Sequence, residues 1–169
     1  MRQSLGKLPR AFTRRRAQLQ NSLQPLRAED IPRIRALVAA SPGAAQWSLE
    51  AYAQLLEGPS RAFVLSEQLR IIGFIALRVI ADEAEILNLA VLPESRRQGW
   101  GSRLLAAAEQ HARSRGARSL FLEVRESNSP AIRFYENQGF VRSGLRPNYY
   151  RDPAEAAVLM MREITAFPG

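Results

Sequence analysis

Apolar residues recur along the chain at two spacings, one typical of helices and the other of strands. In the segment 102–116 they return every three or four positions, which predicts a helix that ends at Gly116. In the segment 119–127 they alternate with other residues, so that Glu123 lies on the strand face opposite Leu122. The chain is therefore expected to combine helices and strands around one core.

The same patterns predict the other elements and their order. A short strand should enter a helix within 26–41, with Asp30 as N-cap and Pro32 in the first turn. The remaining segments are a helix over 47–58 capped by Ser48 and stopped by Gly58, a hairpin over 61–80, a strand over 83–93, a helix over 128–139, and two final strands over 140–150 and 156–164. The predicted order is β-α-α-β-β-β-α-β-α-β-β, an α/β fold on a mixed central sheet. The two strands that flank helix 102–116 should run parallel as a βαβ unit.

The composition limits the kinds of chemistry that the chain can perform. At 169 residues, 46% hydrophobic and 24% charged, it is expected to form one soluble domain. It contains no cysteine, which excludes disulfides and thiolate nucleophiles, and its one histidine, His111, excludes a multi-histidine metal site. We therefore expect no metal. No apolar run approaches the roughly 20 residues that span a bilayer, so we expect no membrane association.

Positive charge is concentrated at the start of the chain. The formal net charge is +8, from 24 basic and 16 acidic residues, and residues 1–27 hold seven of the basic residues and no acidic one. The rest of the chain is close to neutral. We expect a basic, disordered tail over 1–23, a single domain over 24–165 and a short tail over 166–169. The basic tail could also contact RNA or the ribosome, direct import into an organelle of a eukaryote, or result from an upstream start codon.

A basic, glycine-containing segment, Arg96-Arg97-Gln98-Gly99-Trp100-Gly101, stands between a predicted strand and a predicted helix. Such a loop exposes free backbone N–H groups at the positive end of the helix dipole, and its arginines add charge and bidentate hydrogen bonding for a phosphate. It lacks the Gly-Lys-Ser/Thr of a Walker loop and the third glycine of a dinucleotide fingerprint. These six residues alone are consistent with a pyrophosphate-binding loop and with a tight turn whose arginines are solvated.

Two longer segments resemble a known family. The segment 87–105, LNLAVLPESRRQGWGSRLL, contains Arg-x-x-Gly-x-Gly, and the segment 122–140, LEVRESNSPAIRFYENQGF, contains Asn-x-x-Ala-x-x-x-Tyr-x-x-x-Gly-Phe. Both resemble the acetyl-CoA site of the GNAT family of N-acetyltransferases. The matching residues are Arg96, Gly99, Gly101, Asn128, Ala131, Tyr135, Gly139 and Phe140.

With the Arg-Pro-Asn-Tyr-Tyr that follows, the second segment further resembles the RimI-like branch, whose members acetylate the N-terminal alanine of a small-subunit ribosomal protein. The resemblance spans about residues 24–164, and the chain departs from the usual pattern at Arg96, Trp100 and 151–156.

The resemblance implies acetyl-CoA as the acyl donor and a role for each site residue. Leu89, Ala90 and Val91 would pair with the pantetheine arm, and Arg96, Arg97, Gln98, Gly99, Trp100, Gly101 and Ser102 would surround the pyrophosphate. Glu123 would be the general base and Tyr135 the general acid, while Asn148, Tyr149 and Tyr150 would border the acceptor amine. Asn128 would bind pantetheine, cap the following helix, or do both.

The residues by themselves leave other interpretations open. Glu123 could be an exposed strand carboxylate paired with an arginine such as Arg125, and Tyr135 could be a core residue. The tyrosine pair could pack on the sheet beside a hairpin turn.

The function that the resemblance implies is acetylation of the N-terminal alanine of a ribosomal protein, in the cytoplasm. A second hypothesis keeps the fold but takes a small-molecule amine as acceptor, such as a polyamine, an aminoglycoside or an amino acid. A polycationic acceptor would favour an acidic cleft, whereas the acidic residues are scattered along this chain. A third hypothesis is a non-catalytic module that binds the ribosome or RNA through the arginines of the tail.

Overall fold

Residues 21–164, which the computed structural model describes, form seven strands and four α-helices. The strands are β1 (Asn21–Pro25), β2 (Ser60–Glu67), β3 (Arg70–Ile80), β4 (Glu83–Val91), β5 (Ser119–Arg125), β6 (Val141–Arg151) and β7 (Ala154–Glu163). The helices are α1 (Ile31–Ala39), α2 (Leu49–Gln54), α3 (Trp100–Ser114) and α4 (Ser129–Asn137). The predicted order of elements and the α/β class are confirmed.

The start of β1 shifts one predicted boundary. Because β1 begins at Asn21, residues 21–23 belong to the sheet and not to the tail predicted over 1–23. The other residues of that tail lie outside the described part of the chain, as does the short tail predicted over 166–169.

The strands form one mixed sheet in the order β1-β2-β3-β4-β5-β7-β6. Neighbouring strands are antiparallel except β4 and β5, which run parallel as the βαβ pattern predicted. Their pairing ends at Ile86 and Leu122, although β4 continues to Val91 and β5 to Arg125. The two strands therefore separate beyond that pair, and a gap opens between their carboxyl ends.

A β-bulge in β4 lies where this gap opens. Ala76 of β3 pairs with Asn88 and the next residue, Leu77, pairs with Ile86, so Leu87 is the extra residue. A bulge bends its strand and increases the local twist, which allows the end of β4 to diverge from β5 while it keeps its pairing with β3. Within residues 21–164, no strand pairs with the edge of 87–91 that faces β5.

Helices cover both faces of the sheet. Phe74 of β3 packs on Tyr52 of α2 and, edge to face, on Trp47, with ring centroids 6.2 and 6.4 Å away. The preceding residue, Gly73, faces α3, since a Cβ built on it would lie 2.8 Å from the Leu104 side chain. Adjacent strand residues point to opposite faces, so α2 and α3 lie on opposite sides of the sheet.

The helix signals in the sequence are largely confirmed. α3 buries the apolar face that its periodicity predicted, which consists of Leu104, Leu105, Ala108 and Ala112. The Ser48 hydroxyl accepts a hydrogen bond from the Ala51 N–H and caps α2 as predicted. In the part of the chain that the structure describes, no helix is both long and apolar enough to cross a membrane.

Two helix signals require correction. α2 ends at Gln54, before the predicted stop at Gly58, because the chain tightens there into bonds between residues three apart, such as Leu55 N–H to the Tyr52 carbonyl. Asp30 occupies the N-cap position of α1, but its carboxylate accepts a hydrogen bond from the Arg27 N–H and none from the helix.

Asn88 joins the diverging end of β4 to the loop between α1 and α2. Its side chain is buried, and its Oδ1 accepts a hydrogen bond from the Ala45 N–H at 3.3 Å while its Nδ2 donates to the Ala45 carbonyl at 2.8 Å. One amide side chain therefore satisfies both backbone groups of a loop residue and holds that loop against the sheet beside the gap.

Replacing Asn88 by alanine should lower the free energy of unfolding by about 1–3 kcal/mol, because both backbone groups of Ala45 lose their partners. Urea unfolding followed by circular dichroism measures the change. Asn137→Ala, at the exposed end of α4, is the matched control and should change the stability by no more than about 0.5 kcal/mol. Equal midpoints for the two variants would contradict the role given to Asn88.

Candidate active site

The loop between β4 and α3 adopts the backbone geometry of an anion-binding site. Gly99 has a φ of +82° at the N-cap of α3, and the first helical hydrogen bond runs from the Arg103 N–H to the Gly99 carbonyl. The N–H groups of the first helical turn have no partner within the helix. A Cβ on Gly99 would meet no atom within 4 Å, so the space in front of these groups is open.

Some side chains of this loop make contacts within the protein, and others are free to bind a ligand. The Arg96 Nε donates to the Val91 carbonyl at 3.0 Å and fixes the loop to the end of β4. The Gln98 side chain makes a long contact, 3.5 Å, to the Glu94 carbonyl. Trp100 packs against the core. Arg97 is exposed, and within residues 21–164 no carboxylate lies within ion-pair distance of it.

Gly101 brings this loop against α4. A Cβ on Gly101 would lie 3.2 Å from two carbon atoms of the Phe134 ring, which is closer than side chains normally approach. The second glycine of the loop is therefore required for packing between α3 and α4, whereas Gly99 is required for its positive φ. The contact places the helix that carries Tyr135 on the same side of the sheet as the loop.

Tyr135 is buried in an aromatic cluster on that side. Only 7% of the residue is exposed, and its ring centroid lies 5.1 Å from Phe134 and 5.4 Å from Phe140. Burial raises the pKa of its hydroxyl above the usual value, so the phenol is protonated throughout the neutral range. The core interpretation of Tyr135 is thus correct, and it is compatible with a role as proton donor.

Asn128 caps α4, as one of its two interpretations predicted. Its Oδ1 accepts a hydrogen bond from the Ala131 N–H at 3.3 Å. A Cβ on Gly43, in the loop between α1 and α2, would lie 2.5 Å from the Asn128 Nδ2. The glycine at 43, with a φ of +87°, therefore allows that loop to approach the start of α4.

Glu123 lies on the face opposite Tyr135 and its helix. Glu85 of β4 forms an ion pair with Arg78, which lines a shallow pocket with Trp47 on the α2 side of the sheet. Glu85 is also in register with Phe121, and Glu123, two residues further along β5, points to that same side. The gap between β4 and β5 is therefore flanked by the loop and Tyr135 on one face and by Glu123 on the other.

The Glu123 carboxylate is held by residues of β6. Its Oε1 lies 2.7 Å from Nη1 of Arg146. Hydrogen bonding with the carboxylate is the main reason that the pKa of the Tyr149 phenol is raised. Burial, and then the Glu123 charge, raise the pKa of Tyr150. The structure thus brings Glu123 together with Tyr149, Tyr150 and Arg146.

Arg125, which the sequence suggested as a partner for Glu123, pairs with another carboxylate. Its Nη1 lies 3.2 Å from Oε2 of Glu155, and its guanidinium stands 4.1 Å above the Tyr150 ring. It also donates to the carbonyls of Asp152 and Pro153. Arg125 therefore fixes the hairpin between β6 and β7, and Glu123 forms its ion pair with Arg146.

Asn148 and the segment 89–91, which the sequence predicted as ligand-binding, are described by their backbone conformation and strand pairing. Asn148 has a φ of +54° where the register of β6 against β7 shifts between Arg146 and Tyr150. Leu89, Ala90 and Val91 pair with β3 along one edge, and their other edge faces the gap. In the described residues, no group of three or more His, Asp or Glu side chains is placed to hold a metal ion.

Sequence reasoning gave no role to Gly43 or Glu155, and it gave none to Arg146, although Arg146 begins the Arg-Pro-Asn-Tyr-Tyr segment that carries part of the resemblance. Arg146 lies on the same face as Glu123 because the register of β6 against β7 shifts between Arg142 and Gly144, and such a shift leaves no periodic signal. Gly43 follows a proline, which is typical of a loop and does not indicate which element that loop approaches. Glu155 is six residues after Tyr149 along the chain, but it reaches the site by the turn into β7.

The chain is similar to known acetyltransferases. The model of the Acetyltransferase (GNAT) family matches residues 26–140. The ribosomal protein bS18-alanine N-acetyltransferase of Escherichia coli (strain K12) is 36% identical over 121 residues, which cover 70% of this chain and 82% of that protein. A Bacillus subtilis (strain 168) protein to which the same activity is provisionally assigned is 34% identical over 141 residues, 82% of this chain and 93% of that protein.

A solved structure shares the fold. The crystal structure of the ribosomal-protein-S18-alanine N-acetyltransferase from Escherichia coli matches with a TM-score of 0.78 at 33% identity, and covers 89% of this chain and 97% of that one. The predicted fold type is confirmed by this match.

The contacts of Glu155 predict an acid-sensitive hairpin. Hydrogen bonds from the Ser127 backbone and hydroxyl and then the Arg125 charge lower the pKa of Glu155 below 4.5. A carboxylate with a lowered pKa stabilises the fold above its unfolded-state pKa, and this contribution is lost as the pH falls through the folded-state value. Glu155→Gln should therefore melt below the wild type at pH 7, and the difference should shrink as the pH falls below the usual titration range of a glutamate carboxyl. A difference that persists unchanged at acid pH would show that the charge is not responsible.

Proposed function

Because this chain belongs to the acetyltransferase (GNAT) family, we propose that it transfers the acetyl group of acetyl-CoA to the N-terminal α-amine of a protein, with the alanine of ribosomal protein bS18 as acceptor. One observation carries the proposal. The gap between β4 and β5 has an anion-binding loop and a protonated buried tyrosine on one face, and a carboxylate among tyrosines on the other. A donor and an acceptor that enter from opposite faces would meet in the gap.

The loop side fits coenzyme A. Its pyrophosphate requires several N–H donors and positive charge, which the start of α3 and the Arg97 guanidinium supply. Arg96, Gln98, Gly99, Trp100, Gly101 and Ser102 complete this proposed site. The free backbone edge of Leu89, Ala90 and Val91 can pair with the amide groups of the pantetheine arm as an added strand would, and Asn128, at the start of the helix that carries Tyr135, is a further proposed contact for that arm.

The proposed chemistry uses two side chains. Bound acetyl-CoA supplies the thioester carbonyl that the amine attacks. An α-amine has a pKa of about 8 and is mostly protonated at neutral pH, so Glu123 accepts its proton directly or through a water molecule. Tyr135, which burial keeps protonated, donates to the sulfur as the carbon–sulfur bond breaks. The ammonium group loses one proton to Glu123 before it attacks and a second as the amide forms. The thiolate takes up one proton from Tyr135, which solvent reprotonates, so the net products are the amide, the free thiol and one released proton.

The charges around Glu123 favour a peptide over a polycation as acceptor. Glu123 is neutralised by Arg146 and Glu155 by Arg125, so the four charges cancel. A polyamine would require uncompensated carboxylates, and this cleft offers none among these residues. A ribosomal acceptor also places the proposed activity where ribosomes are, in the cytoplasm. The tail arginines that would carry an RNA-binding function lie outside the described residues.

The first test is acetylation of a synthetic peptide that begins with alanine and has the N-terminal sequence of bS18, with the product identified by mass. Glu123→Gln and Tyr135→Phe should each lower kcat by roughly 10²–10⁴-fold, because each removes one proton transfer. Glu126→Gln, an exposed neighbour of the same charge type, should retain wild-type kcat. Absence of acetylated peptide with the wild type, or full activity in both variants, would refute the proposal.

The second test concerns the loop. Arg97 has a φ of +60°, which asparagine also tolerates, so Arg97→Asn removes the charge without adding backbone strain. We expect the KM for acetyl-CoA to rise several-fold with little change in kcat, since the lost contact binds the donor in both the ground state and the transition state. Arg115→Asn, at the other end of α3, is the control. An unchanged KM for acetyl-CoA would remove Arg97 from the proposed cofactor site.

A further inference from the structure

We propose that Arg146 selects acceptors by donating a hydrogen bond to the carbonyl oxygen of the acceptor's first residue while it holds Glu123. The inference rests on the proposed function, since it requires Glu123 to face the attacking amine. It adds an acceptor-binding residue and defines the substrate class as amines with an adjacent carbonyl group, such as peptide N-termini.

The Arg146 side chain is placed to hold Glu123 and still bind a ligand. Nη1 contacts Glu123 Oε1 at 2.7 Å, and the guanidinium lies 5.6 Å from the centre of the Tyr149 ring. The Arg146 side chain is 56% exposed, whereas that of Glu123 is 19% exposed, so the guanidinium forms the solvent side of the pair. A guanidinium has five N–H donors, and within residues 21–164 the only ion pair of Arg146 is this one.

Covalent geometry brings the acceptor's carbonyl oxygen within reach of those donors. Three bonds of about 1.46, 1.52 and 1.23 Å separate an α-amine nitrogen from the carbonyl oxygen of its own residue, so the two atoms lie less than about 4 Å apart. An amine that gives its proton to Glu123 thus carries its carbonyl oxygen into the space beside Arg146. A lysine side chain or a polyamine has no oxygen at that position.

The other arginines near the site cannot perform this role. The donors of Arg125 are used by Glu155 and by the carbonyls of Asp152 and Pro153. Arg142, four residues before Arg146 on β6, pairs with Glu136 of α4 on the opposite side of the sheet. Arg142 has a similar exposure, 59%, and also forms one ion pair, which makes it a matched control.

The experiment is a double-substitution cycle between enzyme and substrate. Two alanine-starting peptides are compared, one with a normal first peptide bond and one with a thioamide there, whose sulfur is a poor hydrogen-bond acceptor. kcat/KM is measured for both peptides with the wild type, Arg146→Ala, Arg146→Lys and Arg142→Ala. The effect of sulfur on the amine itself cancels when the ratios for the two peptides are compared between enzymes.

We expect the wild type and Arg142→Ala to prefer the normal peptide by roughly ten-fold or more, as a charged hydrogen bond to a carbonyl would give. Arg146→Ala should lose most of that preference, and Arg146→Lys should keep part of it. If Arg146 only orients Glu123, its loss would slow both peptides equally and the preference would be unchanged, which overturns the inference. A wild type without preference overturns it as well.

These outcomes are separable from failure of the proposed function. A wild type that acetylates neither peptide removes the proposed function and this inference together. A wild type that acetylates the normal peptide, with equal ratios in every variant, leaves the proposed function intact and removes only the role of Arg146. An unchanged KM for acetyl-CoA in Arg146→Ala and Arg146→Lys confirms that these variants are folded.

Discussion

The early end of the pairing between β4 and β5 is the constraint on which the rest of the site depends. Past Ile86 and Leu122, two strands that run side by side in one sheet no longer share hydrogen bonds, and the bulge at Leu87 lets β4 diverge. Buried backbone groups normally find partners, so an open edge in the middle of a sheet is a place where another chain-like molecule can bind. At this gap the sheet is interrupted, so groups on one face can reach groups on the other face.

Each neighbouring element serves this gap in a different way. The bulged strand leads into the loop at Arg96, which is bonded back to Val91, so the loop cannot move independently of the strand edge. On the opposite face, Asn88 holds the loop between α1 and α2 through Ala45. The glycines at 43 and 101 let the elements around Asn128 and Phe134 approach closely. The site is therefore positioned by short-range contacts that all begin at the ends of β4 and β5.

The charged pairs around Glu123 and Glu155 orient groups more than they stabilise the fold. The pairs of Glu123 with Arg146 and of Glu155 with Arg125 are partly exposed, and exposed pairs contribute only about 0–1 kcal/mol each. Such a pair contributes little to stability, yet it keeps the carboxylate in one orientation. Because each acid is matched by an arginine, the cleft has no strong attraction for cations.

The sequence by itself determined the order of elements, the parallel pair and the cap at Ser48, because these depend on local periodicity and on residues close in the chain. It indicated the family by resemblance, and it offered the Asn128 cap as one of two interpretations. The resemblance to the family also named Glu123, Tyr149 and Tyr150 as candidate site residues, but it gave no contact between them. The partner of Glu123 was decided by tertiary structure. Arg125 is nearer along the chain, but the register shift of β6 between Arg142 and Gly144 turns Arg146 towards the carboxylate while the β6–β7 hairpin and Glu155 hold Arg125. Pairing across strands depends on register, and register is set by bulges and turns that no hydrophobic pattern records.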